Sequence, residues 1–511
     1  MTVSGFGNYL LLPVWAGLKE SPVSVGIDGA KFMFLMVTFP EQTPFPEPDF
    51  FAGIPVVSSD AAAHTAVITA KNGTLPDEYG RFVSFSETIP EPVAGRRPGI
   101  HFAPNTGWIN DPNGMVYHNG VYHLYFQYNP FNTKWENMSW GHAQSKDLLH
   151  WEQSDTVLFP DETATSYSGC GLVNTRALLN QPADALLFFY TYAGKDRFTN
   201  SDIRFSQRIA CSTDGGKTVF PVGMALDAIT FDNRDPKVFF YGDSETGHYV
   251  MVLWIEGNTF AIFTSCDLSH WEESQRLTFP PAWECPDLYE LDCLENGTPR
   301  GMKKWVFTSA GGHYLVGSFD GEHFTAEQDV QSAYCTQLPY AAQTFSNTPG
   351  KTISVAWLRT KGECKLYHGV MALPRELYLA QRNGVWTLVH KPVEQYVNAR
   401  RQLTECSVIK NPWELDIYKE EDSSVVVRAG DRTLFSLQCN CGSVTLLCGE
   451  TSCSFIPTAV LHCLVDNEVL EITSEDWICI AQFEIAPVEC GEKISISGDG
   501  CIRSTVFSVA S

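Results

Sequence analysis

Three short segments each set a carboxylic acid beside or near a proline: Trp108-Ile109-Asn110-Asp111-Pro112-Asn113-Gly114, Arg234-Asp235-Pro236 and Trp283-Glu284-Cys285-Pro286-Asp287. Carboxyl groups that share a pocket can divide a reaction between them. One attacks or activates water, and another hands a proton to a leaving oxygen. Crowding assists the division, because like charges raise one another's pKa and keep one acid protonated near neutral pH. Each segment also has a plain structural reading. Asp-Pro-Asn-Gly is an excellent turn, Arg234-Asp235 makes a local salt bridge of small energetic weight, and Glu284 is an ordinary surface residue. Chemistry requires an architecture that joins acids 124 and 49 residues apart.

An internal repeat supplies that architecture. Ser145-Lys146-Asp147-Leu148-Leu149-His150-Trp151 resembles Ser265-Cys266-Asp267-Leu268-Ser269-His270-Trp271. Ser318-Phe319-Asp320-Gly321-Glu322-His323-Phe324 is a third copy, and Ser212-Thr213-Asp214-Gly215-Gly216-Lys217-Thr218 a weaker fourth. Each reads as a turn followed by an edge strand. The copies are spaced by 67, 53 and 53 residues and filled with strand signals, which indicates four-stranded propeller blades. Asp111, Asp235 and Glu284 lie 34, 30 and 34 residues ahead of their serines, just before the first strand of a blade. Ser168 holds that place in the second unit. A fifth unit fits from Tyr340 through residues 344–345, 353–358 and 385–388. First strands line a propeller's axis, so the three acids are expected to meet at one mouth of the central channel. Coincidence is the only bland account of three equivalent placements. Two converging carboxyl groups plus a third for binding suit glycoside hydrolysis.

The composition fits. The chain has 511 residues, enough for two or three domains, with 44% hydrophobic and 18% charged residues, as in globular proteins. Aromatic residues make up 13%, which suits both stacked β-structure and sugar faces. A formal net charge of -24 argues against nucleic acid and anionic membranes and is compatible with a neutral substrate. No run is long and apolar enough to span a bilayer, and the first residues lack a basic leader region, so a cytoplasmic location is expected. The 16 cysteines are scattered through apolar runs, as expected of reduced thiols. Cys439, Cys441, Cys448 and Cys453 are clustered, yet lack paired C-x-x-C spacing and a completing histidine. No metal or other cofactor is expected.

The three acidic segments resemble W-[MI]-N-D-P-N-G, R-D-P and W-E-C-P-D, the ordered motifs of glycoside hydrolase family 32, the β-fructosidases that include invertases, levanases and exo-inulinases. Tyr125-Phe126-Gln127-Tyr128-Asn129-Pro130, Trp135-Glu136-Asn137-Met138-Ser139-Trp140-Gly141-His142 and Tyr340-Ala341-Ala342-Gln343-Thr344-Phe345 add to the likeness. So does Leu464-Val465-Asp466-Asn467-Glu468-Val469-Leu470-Glu471, similar to a recurring stretch of the family's β-sandwich. The resemblance runs from about His101 to the C-terminus. It implies an all-β fold, a five-bladed β-propeller (96–390) followed by a C-terminal β-sandwich (391–511). It also implies that Asp111 is the nucleophile, Glu284 the general acid and then base, and Asp235 the stabiliser of the fructosyl unit. Asn110, Gln127, Trp135, Ser168 and Arg234 match positions around the fructose ring. The implied reaction releases fructose from sucrose, fructo-oligosaccharides or fructans with retention, through a fructosyl–enzyme intermediate. Cys285 suits packing or tuning of the neighbouring acids.

The chain also departs from the family pattern. Tyr167-Ser168-Gly169-Cys170 stands where Phe-Ser-Gly-Ser is common, and Tyr334-Cys335-Thr336-Gln337-Leu338-Pro339 lacks a frequent aspartate, which leaves sucrose preference open. Residues 1–95 are an extra β-rich region, with strands expected at 9–14 and 32–37, a turn at Asp28-Gly29, and Pro-rich loops near 40–48 and 90–98. Structural support is its favoured role. Fructosyl transfer and a non-catalytic fructan-binding role are the alternatives to hydrolysis; a degenerate binding protein is expected to have lost an acid, and this chain keeps three. Oligomeric state is left open, with a homodimer among the options.

Overall fold

The computed structural model describes residues 1–30, 33–56, 63–71, 73–92, 97–194, 201–362, 366–403, 410–419, 422–440, 443–455, 459–488, 492–499 and 502–509. Cys441, Phe32 and part of the 90–98 loop therefore lie outside the described residues.

Five antiparallel blades form the propeller. Blade I comprises Gly107–His118, Val121–Asn129, Ser139–Ser145 and Glu152–Leu158. Blade II comprises Thr165–Val173, Leu186–Ala193, Ser206–Ser212 and Phe220–Leu226. Blade III comprises Arg234–Tyr241, His248–Glu256, Thr259–Ser265 and Glu272–Thr278. Blade IV comprises Asp287–Glu295, Thr298–Thr308, His313–Phe319 and Phe324–Ala326. Blade V comprises Pro339–Thr344, Ile353–Leu358, Arg375–Arg382 and Val385–Pro392, and its third strand carries no copy of the repeat. Blades IV and V are joined into one sheet by a parallel pairing of Cys293 and Leu294 with Leu379 and Ala380. Ser346 exchanges backbone hydrogen bonds with Met115 and Tyr117, which ties blade V to blade I and closes the ring.

The repeated heptad is the turn between third and fourth strands. In blade I, Ser145 Oγ accepts from the amides of Asp147 and Leu148, and Asp147 Oδ1 accepts from Leu149 and His150. Blade III repeats these bonds with Ser265 and Asp267. Trp151 and Trp271 each donate an indole N–H to the leucine carbonyl three residues earlier, Leu148 and Leu268, at 3.1 Å in both. A short side chain that satisfies turn amides explains why Ser and Asp recur there.

Apolar side chains interleave between blades. Leu187, Phe189 and Ile209 of blade II pack on Val238, Met251 and Phe263 of blade III. At the axis, Lys237 of blade III donates to Asp287 of blade IV at 3.1 Å and to the Thr344 carbonyl of blade V at 2.7 Å. Gly114 and Gly171 permit close approach of blades I and II: a Cβ on Gly171 would lie 2.6 Å from the Gly114 carbonyl oxygen.

Two further sheets make the C-terminal sandwich. Its core holds Trp413, Leu415, Val427, Phe435, Leu446, Leu461 and Phe483. Cys439, Cys448 and Cys453 are side chains of that core, and all three are free thiols. The N-terminal region forms a four-stranded and a three-stranded sheet, with strands Tyr9–Val14 and Met33–Thr38. Asp28 and Gly29, with φ of 53° and 70°, form the turn. This region packs on the propeller loop that follows Asn129. Phe131 sits in its core, Asn132 Oδ1 accepts from the Gly17 amide, and Asn137 exchanges hydrogen bonds with the Met36 backbone.

The stretch Leu464–Glu471 joins sandwich to propeller through buried charge. Asp466 accepts from the backbone amides of Gly99, Ile100 and His101. His101 bridges Asp466 (2.8 Å) and Glu471 (3.1 Å), and Arg375 donates to Glu471. Burial alone would depress His101, but its hydrogen bonds to the two carboxylates outweigh that and lift it to about 9. A raised folded-state pKa stabilises most below the unfolded value, near 6.5, and that stability is lost as pH rises through about 9. The urea midpoint is therefore expected to fall between pH 7 and 9.5. Arg375→Ala, which leaves the buried Glu471 with His101 as its remaining cationic partner, is expected to cost about 3 kcal/mol at pH 7. An unchanged midpoint in that variant would show that the junction carries no stability.

Candidate active site

Blade I presents Asp111 through an irregular strand. The Asp-Pro-Asn-Gly segment is not a turn ahead of the strand: it lies inside Gly107–His118, with register shifts between Ile109 and Pro112 and between Asn113 and Val116. The same device recurs around the axis. Register shifts fall between Ser166 and Gly169, between Arg234 and Lys237, and between Tyr340 and Gln343. In blade IV the amide of Ala310 reaches the carbonyls of both Trp283 and Glu284, at 3.3 and 3.1 Å. Asp235, Glu284 and Ala341 adopt left-handed φ of 65°, 52° and 49°. A bulge re-aims one side chain out of the pleat. Here it turns the same position of each blade toward the channel mouth.

The eight residues singled out from the sequence, Asn110, Asp111, Gln127, Trp135, Ser168, Arg234, Asp235 and Glu284, line one open cavity of about 200 Å³. Ser168 donates to Asp111 Oδ2 at 2.6 Å, and the Asn110 amide donates to Asp111 Oδ1 at 3.2 Å. Trp108 donates its indole N–H to Asn110 Oδ1 and thereby sets that amide's orientation. Gln127 is anchored by donation to the Ser166 carbonyl at 3.0 Å. Arg234 stacks over Trp254 at 4.0 Å and donates to Glu284 Oε1 through Nε (3.1 Å) and Nη2 (2.5 Å). Tyr340 donates to Glu284 Oε2 at 2.7 Å. Both oxygens of Glu284 are thus held, by side chains from blades III and V.

Asp235 is 4% exposed, and Asp111 is partly open to the cavity. Burial raises the Asp111 carboxyl above the ordinary range; the Ser168 hydrogen bond opposes this and the Glu284 charge adds to it. Burial also raises Asp235, against the pull of Arg234 and with the help of Glu284 and Asp111. Burial is therefore the leading cause at both, and the expected mutual repulsion is a smaller contribution. The Cys285 amide donates to Asp235 Oδ2 at 3.1 Å. Burial and the surrounding acids push the Cys285 thiol well up, so it stays protonated and donates to Asp235 (3.4 Å) and Asp111 (3.6 Å).

Sequence reasoning did not assign Tyr340, Trp357, Tyr167 or Met138 to the cavity, and all four line it. Tyr340 had a signal, since the fitted fifth unit begins there. Trp357 lies in the segment 353–358 that was fitted to the fifth unit and forms the second strand of blade V, where the repeat marks a strand and no site residue.

Residues 101–392 match the family described as "Glycosyl hydrolases family 32 N-terminal domain". The chain is 34% identical over 336 residues to a levanase of Bacillus subtilis, covering 60% of this chain and 48% of that protein. It is 33% identical over 357 residues to an extracellular exo-inulinase of Aspergillus niger, covering 59% of this chain and 65% of that one. The matches thus span about half of the levanase and just under two thirds of the exo-inulinase. The crystal structure of the Aspergillus awamori exo-inulinase has the same fold, with a TM-score of 0.70 at 23% identity over 81% of this chain and 98% of that one. With 57% of the chain matched to the family (292 of 511 residues), and with its motifs gathered around one cavity, this protein belongs to glycoside hydrolase family 32.

Proposed function

We propose that this chain hydrolyses β-fructosides with retention of configuration, releasing fructose from sucrose, fructo-oligosaccharides or fructans. One observation carries the reading: Asp111, Asp235 and Glu284, from three blades, face a single small cavity. Asp111 attacks the anomeric carbon of the fructosyl unit while Glu284 gives a proton to the departing oxygen. The bond to the leaving group breaks, and a fructosyl ester of Asp111 forms. Glu284, now a carboxylate, takes a proton from water, which attacks the same carbon and frees Asp111. Asp235 and Arg234 hold the fructosyl hydroxyls, and Gln127 and Asn110 offer further polar contacts. Named relatives point the same way: a levanase and an exo-inulinase are among them.

Incubation with sucrose, inulin, levan and sucrose-6-phosphate tests this. Free fructose is expected, and NMR within the first turnovers should show the β-anomer before mutarotation. Release of the α-anomer first, or no fructose from any of the four, would overturn the proposal.

A further inference from the structure

Beside the catalytic cavity lies a second depression of about 330 Å³, within the range of small-ligand sites. The two share Trp135, Met138 and Tyr167, so they adjoin across one aromatic ridge. Rings continue outward from it. Trp135 meets Tyr167 edge-on at 6.0 Å, and Tyr167 meets Phe205 at 5.6 Å. The Phe205 amide donates to the Phe231 carbonyl at 2.9 Å, and Arg204 donates to the carbonyls of Ala228 and Ile229, which fixes the two outer segments together. Trp135 and Phe231 are each about half exposed, at 50% and 51%. Rings that are half-buried at the middle and exposed at both ends, with the acidic residues Glu136 and Asp202 in the same lining, match a sugar, which offers apolar C–H faces to rings and hydroxyls to acceptors.

The depression's position says which sugar. It is built from blades I to III, whereas Glu284 and Tyr340 stand at blades IV and V. A leaving group must lie against Glu284, which protonates it. A unit in the depression is therefore joined to the bound fructosyl unit through another of its hydroxyls. We infer that this depression is a second sugar-binding subsite, which receives the fructosyl unit on the non-reducing side of the one being cut. The inference rests on the reading of the catalytic cavity given above and extends it. With the depression empty, the terminal unit leaves as fructose; with it filled, a fructan chain is cut further in and a difructoside or longer piece is released.

The full chain is incubated with levan, inulin and sucrose, and the earliest products are separated by anion-exchange chromatography. A difructoside is expected beside fructose from at least one fructan. Phe231→Ala is expected to lower the difructoside-to-fructose ratio about tenfold, as is Phe231→Leu, which keeps bulk but removes the flat face. Sucrose has no unit on that side, so its kcat/KM should move less than about twofold, the scale of a fraction of one kcal/mol. Fructose as the only early product from both fructans, an unchanged ratio in both variants, or an equal loss on sucrose would each overturn the inference. Failure of the wild-type protein to release fructose from sucrose, inulin and levan would instead overturn the reading of the cavity itself.

Discussion

Asp111→Asn should lower kcat by roughly 10⁴-fold or more on every fructoside, with no loss of stability. The substitution keeps the shape of the side chain. The amide oxygen still accepts the Ser168 hydroxyl, which now lies 2.6 Å from Oδ2, while the NH2 replaces Oδ1 and gives up the longer 3.2 Å hydrogen bond from Asn110. What is lost is a lone pair able to form the ester. No neighbour replaces it: Cys285 is a protonated thiol directed at the acids, and Asp235 is tied to the Cys285 amide. Burial already penalises the Asp111 carboxylate, so a neutral amide removes an unfavourable desolvation. The same change removes one of the charges that raise Asp235, whose pKa should therefore fall toward its ordinary range. A thermal midpoint equal to or above that of the wild type, with turnover at background, is the expected pair of results. Turnover within about tenfold of wild type would remove Asp111 as nucleophile.

The blades were legible because their turns are chemically simple. Ser145, Asp147, Ser265 and Asp267 satisfy the amides of a short turn within a few residues, so the signal is local and survives in the sequence. From that periodicity follow the first strands of four blades and the convergence of the three acids, and the fifth unit was fitted without a copy of the turn. The bulges were not legible. Asp235, Glu284 and Ala341 sit at positive φ although none is glycine, and only the surrounding backbone pairing imposes that conformation. The third strand of blade V, Arg375–Arg382, carries no turn of the repeated kind, and the fitted fifth unit passed over it. Trp357 and the ridge of Tyr167, Phe205 and Phe231 depend on how neighbouring blades meet. Such contacts have no period along the chain. The sandwich stretch Leu464–Glu471 could be matched to a family, but what it does in this chain, setting two buried acids against His101 and Arg375 of the propeller, depends on contacts between residues over 90 positions apart.

Glu284→Gln should divide substrates by their leaving groups. On sucrose or a fructan the departing oxygen is an alkoxide and needs a proton, so a loss of roughly 10³-fold or more is expected. A β-fructoside with an acidic phenol as leaving group needs no such proton, and its first step should survive. The second step still lacks the base that takes a proton from water, so a burst of one phenol per enzyme should precede a slow phase, and KM should fall as the ester accumulates. Azide, a nucleophile that needs no base, should then restore turnover and give fructosyl azide of β-configuration. The variant can hold its geometry. A Gln carbonyl oxygen can accept from Arg234 as Oε1 does now, and its amide can donate to the Tyr340 oxygen in place of the present hydrogen bond. Asp111→Asn differs in kind, because without the nucleophile neither leaving group departs and azide restores nothing. An equal loss on both substrate types, with no burst, would mean that Glu284 orients Arg234 and Tyr340 and moves no proton. The contrast between the two variants assigns the two carboxyl groups separately, which neither the shared cavity nor a simple loss of activity can do.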